Sequence, residues 1–299
     1  MQLVVIHGEA GIGKSLLVAE LRSDMPATAH VIVLQCKPRG DTRPLHPFLD
    51  LLEHELGGAA GSTDLNARLH AYLRSQQLDV PADDAEIIAF LYRQHIGLQA
   101  PASVDLDPAA EDRRVRCQDA MLRLLCGRAN PCLIVIEDLH WADSLTAAVV
   151  ERLPLAIGAL PVLVVVTARD EVGFEGIDGA NVASLQLSHL DADATSQLCR
   201  SIWGSDAPSD LVAFVHERSD GVPLFAEQLT CLLLETSDKQ PPPSSSTDWS
   251  QALPSGAILS LQDLVAARLS TLGPLRRLAQ VAGAIGREFD LDLLGHMMK

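Results

Sequence analysis

The chain has 299 residues, 47% of them hydrophobic and 21% charged, a globular composition with room for about two domains and a core that needs no metal or disulfide staple. Acidic residues number 39 against 23 Lys and Arg, a net charge of −16, so the surface field repels phosphate backbones and anionic lipid. The balance speaks against nucleic-acid or membrane contact by this stretch of chain and leaves room only for a local basic pocket.

In chain order, an apolar strand at Leu3–His7 precedes a helix over Lys14–Ser23 and a second strand at Val31–Gln35. Helices follow over Phe48–Leu56, Leu65–Ser75, Ala85–Gln94 and Glu111–Cys126. A third strand at Cys132–Ile136, a helix over Ser144–Ile157, a fourth strand at Val162–Thr167 and a weaker one at Ala183–Leu187 complete this part. The strands are rich in Val, Ile and Leu and do not alternate, as expected of parallel strands covered on both faces. Strand–helix alternation of this kind predicts an α/β fold with a parallel, doubly wound sheet.

After Leu190 the pattern turns all-helical. Helices are expected over Ala192–Trp203 and Ser209–Arg218, and Pro223 opens another to about Glu235, proline being suited to a first helical position. Residues 237–256 form a Pro/Ser-rich linker, expected to be mobile. Helical patterning resumes over Ile258–Leu272, Pro274–Ile285 and Leu291–Met298. The domain boundaries expected are a core over 1–187, a helical lid over 188–236, the linker, and a further domain beginning at 257–299. The first strand begins at residue 3 and a helix is still running at Lys299, which predicts a piece of a longer polypeptide.

Residues 8–15 read GEAGIGKS, the G-x-x-x-x-G-K-[ST] pattern, directly after a strand and directly before a helix. Gly8, Gly11 and Gly13 let the backbone approach phosphates closely. Successive N–H groups and the following helix N-terminus make an anion site. Lys14 would reach the β- and γ-phosphates, the Ser15 hydroxyl would ligate Mg²⁺, and Leu16 completes the loop's nucleotide-contacting set.

Residues 133–138 read LIVIED, an apolar strand ending in two carboxylates at the edge where open α/β sheets bind ligands. Glu137 would hold Mg²⁺ and Asp138 would polarise an attacking water, although the sequence alone does not fix which carboxylate takes which role. The next strand ends in Thr167, Ala168 and Arg169, where Arg169 would either sense a γ-phosphate or pair with Asp170 or Glu171. If a strand is inserted between the phosphate-loop strand and the acidic strand, Val162–Thr167 must sit centrally.

The remaining features carry less. Trp141 is read mainly as packing beside the acidic pair. Arg113, Arg114 and Arg116 are read as a solvated helix face. The ten histidines show no H-E-x-x-H or paired spacing, so no transition-metal site is expected. The six cysteines form no C-x-x-C pair, the pattern of buried free thiols in a reducing compartment. No secretory signal opens the chain. The longest uncharged stretch, 153–168, is shorter than the ~20 residues a bilayer span needs, so the expected location is cytoplasmic.

EDLHWAD (137–143) after an apolar strand resembles the acidic motif of the STAND class of signal-transducing P-loop ATPases. SDGVPLFAEQL (219–229) is similar to the GxP-type helical-domain motif of that class. QDLVAARLSTLGPLRRLAQVAGAIGREF (262–289) resembles the segment where a winged-helix domain begins. The resemblance is strongest to AAA-type ATPase modules of bacterial multidomain regulators. It implies a slow ATPase switch using ATP or ADP with Mg²⁺, with Lys14 and Ser15 on the phosphates and metal, and Glu137 and Asp138 as the acidic pair. Arg169 becomes the sensor, and Pro223 lies near the adenine. It also implies partner domains in the same polypeptide (a cyclase or LuxR-type DNA-binding domain, and tetratricopeptide repeats) and admits a homo-oligomer. The chain departs from the class in lacking the segment upstream of the phosphate loop and the far end of the winged helix. Two other readings stand beside it: a scaffold that holds nucleotide without hydrolysing it, and a small-molecule kinase built on the same loop.

Overall fold

The computed structural model describes residues 3–38, 43–56, 65–98, 111–127, 131–158, 160–169, 182–237, 249, 263, 265–266, 269, 272–285 and 291–298. They divide into two compact units, Met1–Leu187 and Ser188–Lys299.

The first unit is built on five parallel strands: β1 (Leu3–His7), β2 (His30–Gln35), β3 (Cys132–Glu137), β4 (Val162–Ala168) and β5 (Val182–Gln186). Their spatial order is β2-β3-β4-β1-β5, so β4 sits between the strand that leads into the phosphate-loop motif and the strand that ends in the two acids. That is the central placement of residues 162–167 that the sequence makes a condition of an inserted strand. In register, His7 faces Ala168 across β1 and β4, and Gln35 faces Glu137 across β2 and β3.

The helices are α1 (Lys14–Ser23), α2 (His46–Leu56), α3 (Leu65–Ser75), α4 (Ala82–His95), α5 (Glu111–Cys126) and α6 (Ser144–Ile157), with a 3₁₀ turn at Leu139–Trp141. One core cluster joins Ile134, Ile136, Val164 and Val166 to α2–α6, and another joins Ile6, Leu133, Val135 and Val165 to Val18 of α1. Alternate residues of β3 therefore enter opposite layers, and all six are buried, which is why the strand lacks polar alternation. β5 differs: its residues 184–186 are exposed, which accords with its weaker sequence signal, and among the described residues it pairs with β1 alone.

Two helices start earlier than their patterns suggest. α4 begins at Ala82, directly after Pro81, and carries Asp83 and Asp84 in its first turn, where carboxylates complement the helix dipole. α2 begins at His46 because the Leu45 carbonyl accepts from the Phe48 and Leu49 amides. The Leu45 N–H in turn donates to Asp143 Oδ2 at 3.1 Å. Asp143 is also the N-cap of α6, its Oδ1 accepting from the Leu145 and Thr146 amides at 3.0 Å.

The second unit packs α7 (Ala192–Trp203), α8 (Ser209–Ser219) and α9 (Pro223–Ser237) around Cys199, Leu211, Val215, Phe225 and Leu229. Trp249, from the Pro/Ser-rich stretch, is buried in this core with its ring edge-on to Trp203 at 5.9 Å. It therefore acts as an anchor inside a stretch that composition marks as mobile; residues 238–248 and 250–256 lie outside the described residues. Of the helix expected at Ile258–Leu272, residues 263, 265, 266, 269 and 272 are described; the first four are helical and Leu272 is in a turn. Beyond it come a 3₁₀ turn at Gly273–Leu275 and helices at Arg276–Ile285 and Leu291–Met297.

All six cysteines are free and five are buried. Burial, with Asp143 and Asp138 nearby, pushes the Cys36 thiol up to about 12, and burial likewise pushes Cys126 up to about 12. Among the described residues, no helix is long and apolar enough to cross a membrane.

Replacing Asp143 removes one cap and orphans the Leu45 amide. Asp143→Ala should destabilise the chain by about 1–2 kcal/mol for the cap and a further ~1–3 kcal/mol for the amide. Asp143→Asn should cost less. Urea denaturation followed by far-UV circular dichroism measures both.

Candidate functional site

Between the end of β1 at His7 and the start of α1 at Lys14, the chain turns from extended to helical through Gly8–Gly13. The turn depends on Gly13, the residue that caps α1, whose φ of +105° puts it in a region that side chains with a Cβ rarely enter. Gly8 and Gly11 also have positive φ.

Lys14 is the first residue of α1 and yet is only 8% exposed. Its Nζ donates to the Gly8 carbonyl at 2.6 Å and to the Glu9 carbonyl at 2.8 Å, so the ammonium folds back onto the loop that precedes it. Burial lowers its pKa below that of an ordinary lysine, the Asp138 carboxylate raises it, and the Arg169 guanidinium lowers it again. The three charges thus act on one another, although they come from α1, the end of β3 and the end of β4. α1 begins with no side-chain cap and no acid in its first turn. First-turn N–H groups have no intrahelical acceptor, and the helix dipole makes that end positive, so the arrangement attracts an anion. Ser15 and Leu16 are exposed in this same turn.

Glu137 is the last residue of β3 and is buried. Asp138 follows in a left-handed conformation, φ +56°, which Asp tolerates better than most residues. Its N–H donates to Thr167 Oγ1 of β4 at 3.0 Å, and its Oδ2 accepts from Gln35 Nε2 of β2 at 3.1 Å. Three neighbouring strands therefore fix this one carboxylate. Arg169, exposed just past β4, stands over the Trp141 ring at 5.7 Å from its centroid. The alternative partners Asp170 and Glu171 lie outside the described residues. The sequence places Gln35 at the end of the second strand but assigns it no part in the site. Its one sequence signal is a polar residue ending an apolar strand, which becomes informative only once β2 is known to lie beside β3.

Pro223 belongs to the second unit, where it opens α9. The bend before it needs glycine: Gly221 has φ +71°, and a Cβ there would sit 2.3 Å from the Leu190 carbonyl oxygen. The Leu190 N–H donates to the Gly221 carbonyl at 2.8 Å, and His189 Nδ1 lies 3.5 Å from Asp220 Oδ2. These contacts tie the start of the unit to the SDGVP bend.

A family model, a relative and solved structures match this chain. An uncharacterized protein of Rhizobium meliloti (strain 1021) is 31% identical over 300 residues, and the alignment covers 98% of this chain and 28% of that protein. The chain thus spans little more than a quarter of its relative's length. A signal transduction ATPase with numerous domains from Pyrococcus horikoshii, which carries a tetratricopeptide repeat sensor, superposes with a TM-score of 0.44 at 17% identity over 90% of this chain and 30% of that one. Cdc6p from Pyrobaculum aerophilum gives a TM-score of 0.39 at 14% identity, covering 79% and 55% of the two chains. The model of the AAA ATPase domain matches residues 1–165, more than half of the sequence and the segment that holds the phosphate loop and the acidic strand end. The chain belongs to the AAA ATPase domain family.

Proposed function

We propose that this domain binds ATP or ADP with Mg²⁺, hydrolyses ATP slowly and serves as a conformational switch in a larger signalling or transcriptional regulator. The observation that carries the reading is Lys14. A buried ammonium at an uncapped helix N-terminus is held by two backbone carbonyls, next to an anchored carboxylate. Phosphate oxygens would replace neutral acceptors with charged ones, which bind an ammonium more strongly.

In this reading Gly8, Gly11, Gly13, Lys14, Ser15 and Leu16 form the phosphate cradle. The Ser15 hydroxyl and the Glu137 carboxylate are oxygen donors of the kind Mg²⁺ takes, and the two fit that ion. Bound Mg²⁺ would neutralise charge on the phosphates. Asp138, whose Oδ2 is held by Gln35, keeps its second oxygen to orient a water. Arg169, restrained by Trp141, would meet the γ-phosphate. Pro223 would lie near the adenine, with residues 188–236 as a helical lid, 237–256 as a linker and 257–299 as the start of a winged helix. The STAND-class placement rests on the EDLHWAD and SDGVPLFAEQL motifs, and the relative's greater length supports a multidomain parent. Within that parent, a cyclase or DNA-binding domain and tetratricopeptide repeats are the partners proposed, with self-association as a further element.

Nucleotide released from the denatured, purified protein should be near-stoichiometric ADP for the wild type and absent for Lys14→Ala. Removing the ammonium deletes a charge-assisted contact worth roughly 1.5–3 kcal/mol, so ATP affinity should fall about tenfold to a hundredfold. Unchanged affinity would end the phosphate-loop assignment. Asp138→Asn should abolish phosphate release while keeping ATP binding; equally negligible turnover in both proteins would instead indicate a non-hydrolysing scaffold. Phosphoryl transfer to an acceptor other than water would indicate a kinase. For the switch itself, limited proteolysis around 237–256 should differ between ADP and a non-hydrolysable ATP analogue, because a ligand shifts an equilibrium only through its different affinities for the two states.

A further inference from the structure

The helices between β2 and β3 gather ligating side chains that the nucleotide reading does not use. His46, Asp50 and Glu53 lie on α2 at i, i+4 and i+7, on one face of the helix. His95, the last residue of α4, meets them from the other side. Its Nε2 is 3.2 Å from Glu53 Oε2 and 3.4 Å from Asp50 Oδ1, and His46 Nδ1 is 3.1 Å from Asp50 Oδ2. The two imidazoles stand edge to face at 5.3 Å.

One ligand atom from each of Asp50, Glu53 and His95 lies within 4.8 Å of the other two. Donors around a tetrahedral ion with bonds of ~2.0–2.2 Å sit about 3.4 Å apart, so this set is close to the spacing an ion requires. The His95 side chain is only 8% exposed, and its buried Nδ1 has no hydrogen-bond partner, so its Nε2 contacts are what anchor the ring. The Arg43 guanidinium donates to the carbonyls of Gln94 and His95 and holds the end of α4 in place. The Lys37 Nζ lies 2.6 Å from Asp50 Oδ2, the ammonium that a bound ion would displace.

We propose that Asp50, Glu53 and His95 form a site for a divalent transition-metal ion of the zinc class, with His46 beside it on Asp50 Oδ2. Mixed imidazole and carboxylate donors suit that class. The ion would offset carboxylate charge and clamp α2 to the end of α4. Sequence spacing does not reveal the site because Asp50 and His95 come from different helices.

The test uses the full chain, stripped of metal and nucleotide and titrated with Co²⁺ as a spectroscopic probe and then with Zn²⁺ in competition. Expected is one equivalent of Co²⁺ with visible d–d bands and no thiolate charge-transfer band, since five of the six cysteines are buried. Glu53 is half exposed, so Glu53→Gln should fold normally, which circular dichroism checks; His95→Gln is the second variant. Each should weaken binding at least as much as loss of an outer-shell partner does, about 10–100-fold. Lys37→Met should strengthen binding several-fold, because it removes the cation that competes for Asp50. Ser15→Ala, in the phosphate loop, should leave Co²⁺ affinity unaltered. No uptake at micromolar metal would overturn the proposal, as would equal affinity in Glu53→Gln, His95→Gln and the wild type.

Discussion

Parallel pairing is the constraint on which the rest of the structure depends. Because all five strands run the same way, every strand ends on the same edge of the sheet. The glycine loop, Gln35, the two acids and Arg169 are far apart in sequence, yet each follows or ends a strand on that edge. Register then sharpens the placement: Gln35 lies opposite Glu137, and His7 lies opposite Ala168. A single hydroxyl, that of Thr167, joins the end of β4 to the turn after β3 because β4 is the strand between β1 and β3. An order that placed β1 beside β3 would lose that contact.

The edge is also where the protein departs from its average electrostatics. A chain with a net charge of −16 holds a lysine there that is almost wholly buried, with an arginine whose field makes its charge still harder to keep. Such a charge is tolerated only where hydrogen bonds and a countercharge offset its desolvation. Here the Gly8 and Glu9 carbonyls supply the bonds and Asp138 supplies the countercharge. Asp138 can do so because Gln35 and Thr167 hold it in a left-handed turn, so the acidic strand end and the phosphate loop support each other across β4.

Much of this was legible in the sequence, for physical reasons. β1, β3 and β4 announce themselves because both faces are largely buried, and the G-x-x-x-x-G-K-S pattern follows from a turn that glycine completes. Features set by long-range packing were not legible. Gln35 gains meaning only from the strand beside it. Trp249 stands in a Pro/Ser-rich stretch, and its burial against Trp203 depends on how α7–α9 close. The meeting of His46 with His95 depends on the packing of α2 against α4, which periodicity predicts as two buried faces without saying which residues cross between them.

Two hydrogen bonds tie the acidic motif to the end of β2 and to the residue that precedes α2. Gln35 ends β2 and bonds to Asp138, while Leu45, immediately before His46, bonds to the Asp143 cap that follows the acidic motif. A pocket of about 120 Å³ lies between these two ties, lined by Cys36, Lys37, Arg43, His46, Trp141 and Asp143. Trp141 in turn carries the Arg169 guanidinium on its face. His46 and Trp141 therefore line one pocket, and Trp141 also carries Arg169. Coupling between distant ligands needs an element that both of them bias. Cys36, Lys37, Arg43 and His46 border that pocket together with Trp141 and Asp143, so ligands at the two sites would act on side chains that share one space.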